Sequence, residues 1–242
     1  MDLSIIIPCF NEELRIDKSV DRLVTFFTLQ DFTSELVLVN DGSTDETERK
    51  LQLIAEKLTT NAKVRAKVLS YSPNRGKGYA LRRGFECCDR VLVLLTDADL
   101  SCVPSEYLKL QKHILDSDLV LGSRKHHDSK VTARQPWYRV LTGKTYSALS
   151  RLLLGVPVSD FTCGFKLMRR EAFAPVFQRM YVDRWAYDSE LIALAFQQGL
   201  RVKEVGVEWQ NDARTKVKLT RDAFESFFDL LTIAWRVRSA DD

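Results

Sequence analysis

Asp97 and Asp99 flank Ala98 in TDADL, directly after the apolar run VLVLL. Two carboxylates one residue apart at the mouth of a buried strand repel each other unless a cation joins them. Hard oxygen ligands of this kind suit Mg²⁺ or Mn²⁺, and such an ion can hold a diphosphate and neutralise charge on a leaving nucleotide. A plainer alternative has one aspartate capping a helix that starts near Pro104 and the other solvated. A second acidic cluster, NDGSTD at 40–45, offers Asp41 as an acceptor for the N–H edge of a nucleobase, and Glu12 in PCFNEE suits a ribose hydroxyl. The same residue types also favour turns and helix caps. In NRGKGYALRRG, two close glycines with Arg75 and Lys77 stand before a helix and can face an anion. That loop has neither the P-loop spacing nor GxGxxG, which sets aside ATPase and dehydrogenase chemistry.

These groups fall where an alternating α/β pattern puts them. LSIIIP (3–8), ELVLV (35–39), AKVLSY (66–71) and RVLVLLT (90–96) read as strands, with helical patterns between them at about 12–29, 44–59, 76–87 and 104–116. Near-continuous apolar strands separated by helices predict a mostly parallel sheet with helices on both faces. Ligands of such sheets sit beyond the carboxyl ends of the strands, where every polar segment above lies. The second half predicts strands at 118–124, 163–169 and 202–209 and helices at Trp137–Leu154 and Leu219–Val237.

Composition sets bounds on partners and compartment. The 242 residues carry a net charge of +3, too little to imply nucleic acid, although basic residues crowd at Arg124/Lys125 and at Arg214/Lys216/Lys218. The five cysteines show no zinc spacing and read as reduced thiols of a cytosolic protein. No apolar stretch approaches the roughly 20 residues of a spanning helix, so membrane contact is expected to be peripheral. The segment 137–154 sets Trp137, Tyr138, Val140, Leu141, Leu149, Leu152 and Leu153 beside Arg134, Arg139, Lys144 and Arg151, and suits a lipid interface. The alternative is a core helix with a basic outer face.

The ordered series IIIPCFNEE, VLVNDGSTD, NRGKGYA, TDADL, GSR and DFTCGFKLMRREA resembles the family-2 inverting glycosyltransferases of the GT-A fold, over nearly the whole chain. CGFK, RWAYDSEL and VEWQNDARTKVKL follow in the order and spacing of the dolichyl-phosphate glucosyltransferase branch. The resemblance implies a Rossmann-like GT-A domain over 1–242, with a nucleotide-sugar-binding half at about 1–125 and an acceptor half with amphipathic helices at about 126–242. It puts Pro8, Asn11, Glu12 and Asp41 around the nucleotide, with Lys77 beside them, and Asp97 and Asp99 at the metal and sugar diphosphate. Ser101 stands where several relatives carry a third metal ligand, Gln. Arg124 and Lys216 resemble the cationic pair that grips the donor and acceptor phosphates. The implied reaction moves a hexose, glucose from UDP-glucose, onto a polyprenyl or dolichyl phosphate, at the cytoplasmic face of a membrane. GDP-mannose is the alternative donor, and a degenerate, non-enzymatic binding module the alternative class. A phosphate monoester with a second pKa near ~6 is already a nucleophile at neutral pH, so no strong base is required.

Overall fold

The computed structural model describes residues 2–133, 136–210 and 219–239. Strands β1 (Leu3–Cys9), β2 (Ser34–Asp41), β3 (Val64–Tyr71) and β4 (Leu92–Leu95) alternate with helices α1 (Ile16–Thr28), α2 (Thr47–Thr59) and α3 (Lys77–Glu86). A 3₁₀ turn at Pro104–Glu106 runs into α4 (Tyr107–Gln111), followed by β5 (Leu119–Ser123), β6 (Lys130–Ala133) and α5 (Trp137–Leu154). Then come β7 (Lys166–Arg169), α6 (Arg170–Arg179), α7 (Tyr187–Gln197), β8 (Val202–Gly206), β9 (Glu208–Gln210) and α8 (Leu219–Ser239). The main sheet has the order β3-β2-β1-β4-β7-β5-β8, and in it β7 runs against both of its neighbours. β6 and β9 pair as a separate parallel ribbon. Both halves of the sequence thus contribute to one sheet.

Alternation along the strands divides the core. Ile5, Ile7, Leu36, Leu38, Leu92 and Leu94 point to one face, against α1 and α2, while Ile6, Val37, Val39, Val93 and Leu95 point to the other, against α3, α6 and α7. Burial on both faces explains why these strands read as unbroken apolar runs, each fully buried aliphatic side chain stabilising by about 1.5–3 kcal/mol.

The expected parallel sheet is present, and the helix at Trp137–Leu154 has the bounds expected of it. Three differences stand out, the last two with local causes. The helix expected over 104–116 is only a 3₁₀ turn and α4. The strand expected over 202–209 divides at Val207, whose N–H bonds Ser123 in the main sheet while its carbonyl accepts from Lys130 of the ribbon. Helix α7 has every residue from Tyr187 to Ala195 buried, so it lacks the exposed polar stripe that would mark it as a helix.

Candidate active site

Because β1, β2, β4 and β5 all run the same way, their carboxyl ends open into one cleft of about 1760 Å³. Pro8, Asn11, Glu12, Asp41, Lys77, Asp97, Asp99 and Arg124 all line it. Lys216 lies outside the described residues. Among the described residues, positive φ outside glycine falls at Asn11, which lines the cleft, and at buried Leu100, between the lining residues Asp99 and Ser101, at 51° and 46°. Such backbone is costly for residues with a Cβ and clusters where a site demands it.

Asp41 is buried and fixes the next loop. Its Oδ1 accepts from the Arg75 N–H at 2.8 Å, and its Oδ2 from the Gly76 N–H at 2.9 Å and from Asn74 at 2.7 Å. Gly76 has φ 111°, and a Cβ there would lie 2.5 Å from the Asp183 carbonyl oxygen. The glycine therefore lets the segment before α7 close over Lys77, which stands 5.9 Å from the Trp185 ring and 5.3 Å from the Tyr187 ring. Glu12 is held by Arg15 through both carboxylate oxygens, at 2.5 and 2.6 Å.

The Lys77 ammonium bonds Asp97 Oδ1. Burial alone would raise the Asp97 pKa, but Lys77, and beyond it Lys166 and Arg124, outweigh burial and hold it below the ordinary carboxylate value. Gly164 makes room for this carboxylate, since a Cβ there would stand 2.6 Å from Asp97 Oδ2. Asp99 goes the other way: burial first, then the charge of Asp97, raise its pKa, although Oδ1 accepts from the Ser101 N–H at 2.9 Å. One carboxylate already charged and a second resisting charge beside it form a hard-oxygen donor pair suited to a divalent cation. Ser101, the residue at the doubtful third-ligand position, serves Asp99 through its backbone N–H.

Arg124 is paired within the protein. Its Nε and Nη2 close on Asp160, each at 2.8 Å, and Nη2 also donates to Thr162 at 2.7 Å. Nε and Nη2 are thus already bonded, and Nη1 alone carries no bond among the described residues. Burial alone would raise the Asp160 pKa, but Arg124 overrides it and holds the carboxylate well below 3.8. Asp160, Gly164, Trp185 and the buried pair of Lys166 with Asp188 had no assigned role in the sequence. Acidic or basic residues inside the apolar stretches VPVSDFTCGF and CGFKLM were the available signal, since buried charges are rarely left unpaired.

A sheet that gathers its polar strand ends into one cleft belongs to the α/β class that binds ligands beyond the carboxyl ends of its strands. Residues 4–177 match glycosyl transferase family 2, and the chain belongs to that family. The dolichyl-phosphate beta-glucosyltransferase of Drosophila melanogaster is 31% identical over 258 residues, covering 99% of this chain and 78% of the relative. Its human counterpart is 28% identical over 254 residues, covering 97% and 78%. Among solved structures, glucosyl-3-phosphoglycerate synthase from Mycobacterium tuberculosis, in complex with Mn²⁺, UDP and glucosyl-3-phosphoglycerate, superposes with a TM-score of 0.70 at 22% identity, over 96% of this chain and 80% of that one. The likeness is one of fold, and the fold is GT-A.

Two outcomes follow from the charge pairs. Lys77→Met should bind Mn²⁺ alone about tenfold more tightly, because an ammonium no longer competes for Asp97, while binding UDP more weakly. Paramagnetic titration of Mn²⁺ checks this, and an unchanged affinity would show that Lys77 and the ion do not compete. Asp160→Asn should cost about 3–5 kcal/mol at neutral pH by stranding the Arg124 charge. Since the folded pKa of Asp160 is depressed, its contribution is full above its unfolded value and fades as pH falls through the lower folded one. The gap between wild type and variant in urea should therefore close below about pH 4.

Proposed function

We propose that this chain is an inverting glycosyltransferase that moves glucose from UDP-glucose to the phosphate of a dolichyl or other polyprenyl phosphate. The observation that carries this reading is the near full-length similarity, at 28–31% identity, to enzymes named for that transfer, joined to a cleft in which the expected donor residues converge. The same names favour glucose over mannose. In this reading Pro8, Asn11, Glu12 and Asp41 surround the nucleoside, Asp41 also setting the loop that carries Lys77. Asp97 and Asp99 would hold Mg²⁺ or Mn²⁺, which supplies charge neutralisation at the diphosphate. Lys77 turns from Asp97 to the diphosphate when the donor enters. The acceptor phosphate meets Nη1 of Arg124, held in place by Asp160, with Lys216 as the second cation. The acceptor oxygen arrives deprotonated, so the protein's task is alignment and charge stabilisation rather than proton removal.

Helices α5 and α8 supply the acceptor side. The residues α5 buries are Ser147 and Ser150, while Trp137 is 77% exposed and Leu152 74%. This is the reverse of a core helix. Packed against it, α8 exposes Phe224, Phe228 and Trp235, the last at 70%. Trp137, Val140, Leu141 and Phe227 also line the cleft, so the apolar face runs into its mouth. No described helix is long and apolar enough to cross a membrane. An apolar face flanked by Arg139, Lys144, Arg236 and Arg238 fits the interface of an anionic bilayer and would bring a lipid phosphate to Arg124.

The decisive experiment supplies labelled UDP-glucose or GDP-mannose with dolichyl phosphate and Mn²⁺. Lipid-linked glucose should form, and Asp99→Ala should abolish it while circular dichroism stays native. Turnover with GDP-mannose alone would replace the donor, and nucleotide binding with no turnover of either sugar would favour a binding module. In flotation with phosphatidylserine-containing vesicles, Trp137→Ser with Trp235→Ser should lose most of the bound fraction, whereas water hydrolysis of the donor should change little. Undiminished binding would move the membrane contact elsewhere.

A further inference from the structure

Beyond the carboxyl end of β5, outside the cleft lining, lies a cluster that the transfer reaction does not use. The chain contains three histidines. His126 and His127 are consecutive, followed by Asp128, and His126 and Asp128 share a second cavity with the third, His113. This cavity, of about 400 Å³, has no lining residue in common with the cleft.

The ligand atoms converge. One carboxylate oxygen of Asp128 stands 3.6 Å from His126 Nδ1 and 3.2 Å from His127 Nε2, and the three atoms all lie within 4.8 Å of one another. Donors about 2.0–2.2 Å from a tetrahedral Zn²⁺ stand roughly 3.3–3.6 Å from each other. The Asp128 N–H donates to His126 Nδ1 at 3.4 Å, which shows that nitrogen as an acceptor, and an ion binding there replaces this long hydrogen bond. The loop is shaped without help from an ion: the Ser129 N–H bonds the His126 carbonyl at 3.0 Å, Ser129 Oγ bonds the Ser123 carbonyl at 2.6 Å, and the backbone of Asp128 and Ser129 lies where a Cβ on Gly206 would stand, 2.8 Å away. Little ordering is then left to oppose binding. Lys109, Lys112 and Lys203 also border the cavity. Lys109 is paired with Glu106, and the exposed ammonium groups are screened.

We propose that His126, His127 and Asp128 form a site for a borderline transition-metal ion of the Zn²⁺ class, separate from the hard-metal position at Asp97 and Asp99. Two imidazoles and one carboxylate select Zn²⁺, Co²⁺ or Ni²⁺ over Mg²⁺ and Mn²⁺, and leave a fourth position for water. The loop follows Arg124 and Lys125 directly, so an ion there stiffens the connection from β5 to β6. The inference does not depend on the donor or acceptor named above.

Co²⁺ titrated into the untagged protein, in the Asp99→Asn background and without nucleotide, tests it. Visible absorption of low-coordinate Co²⁺ should appear, Zn²⁺ should displace it, and Mg²⁺ should not. His126→Ala with His127→Ala should weaken Co²⁺ binding by at least about tenfold, and Asp128→Asn should weaken it too. The double variant should keep the circular dichroism and thermal midpoint of its parent, which shows that it is folded. Co²⁺ binding unchanged in the double variant would overturn the proposal, as would a sulfur-to-cobalt charge-transfer band that places the ion on a thiolate such as Cys87.

Discussion

Negative charge concentrated beyond the ends of buried strands is the constraint around which the cleft is built. Asp97 is partly buried, and against the upward push of burial Lys77, Lys166 and Arg124 together hold its carboxyl below the ordinary carboxylate value. Two of these have carboxylate partners of their own elsewhere, Arg124 with Asp160 and Lys166 with Asp188, while Lys77 turns directly to Asp97. The two distant pairs contribute field without being free to move, because each is locked by its own partner. Lys77 is the cation that a ligand can redirect, since it has no carboxylate behind it.

The pairing also explains the company these residues keep. Gly164 stands between Cys163, whose carbonyl accepts from Lys166 at 2.5 Å, and Phe165, whose carbonyl accepts from the Gly122 N–H at 2.8 Å. A side chain at 164 would displace Asp97 directly, and a shift in this segment would loosen Lys166 as well. The one reversed strand of the main sheet, β7, begins here, and its direction brings the CGFK segment alongside the end of β4. A parallel strand at that place would have delivered its amino end to the opposite edge of the sheet. The cleft thus needs the single antiparallel interruption as much as it needs its carboxylates.

The first half of the fold was legible because parallel strands buried on both faces leave continuous apolar runs, and because each strand ends in a polar turn. Of the residues drawn together at those ends, Glu12, Asp41, Lys77, Asp97 and Asp99 were legible for the same reason, whereas Pro8 and Asn11 came only with the family resemblance. Helix α7 was not, since Tyr187–Ala195 is buried nearly all round and shows no face. The commitment of Arg124 to Asp160 was equally hidden: GSR displays a cation, and nothing local says that its counter-charge lies 36 residues away. The glycines of NRGKG read as a phosphate cradle, whereas Gly76 answers to the close approach of the Asp183 backbone. Periodicity records burial, but pairing between distant segments leaves no period.

On the proposed reading, that hidden pairing changes how the acceptor is met. A guanidinium with both hands open would take a phosphate by two parallel hydrogen bonds and fix its orientation by itself. Arg124 has one nitrogen, Nη1, left for such a contact, so it can attract the phosphate without fixing its orientation. Orientation must then come from the other end of the acceptor. The apolar face that continues from Trp137 and Leu141 into the cleft supplies a second, distant constraint, because a chain laid along it leaves its headgroup little freedom to rotate. Division of labour of this kind, charge at Arg124 and direction from α5 and α8, favours an acceptor with a long apolar tail over a small phosphorylated one, without any pocket shaped to exclude the small one.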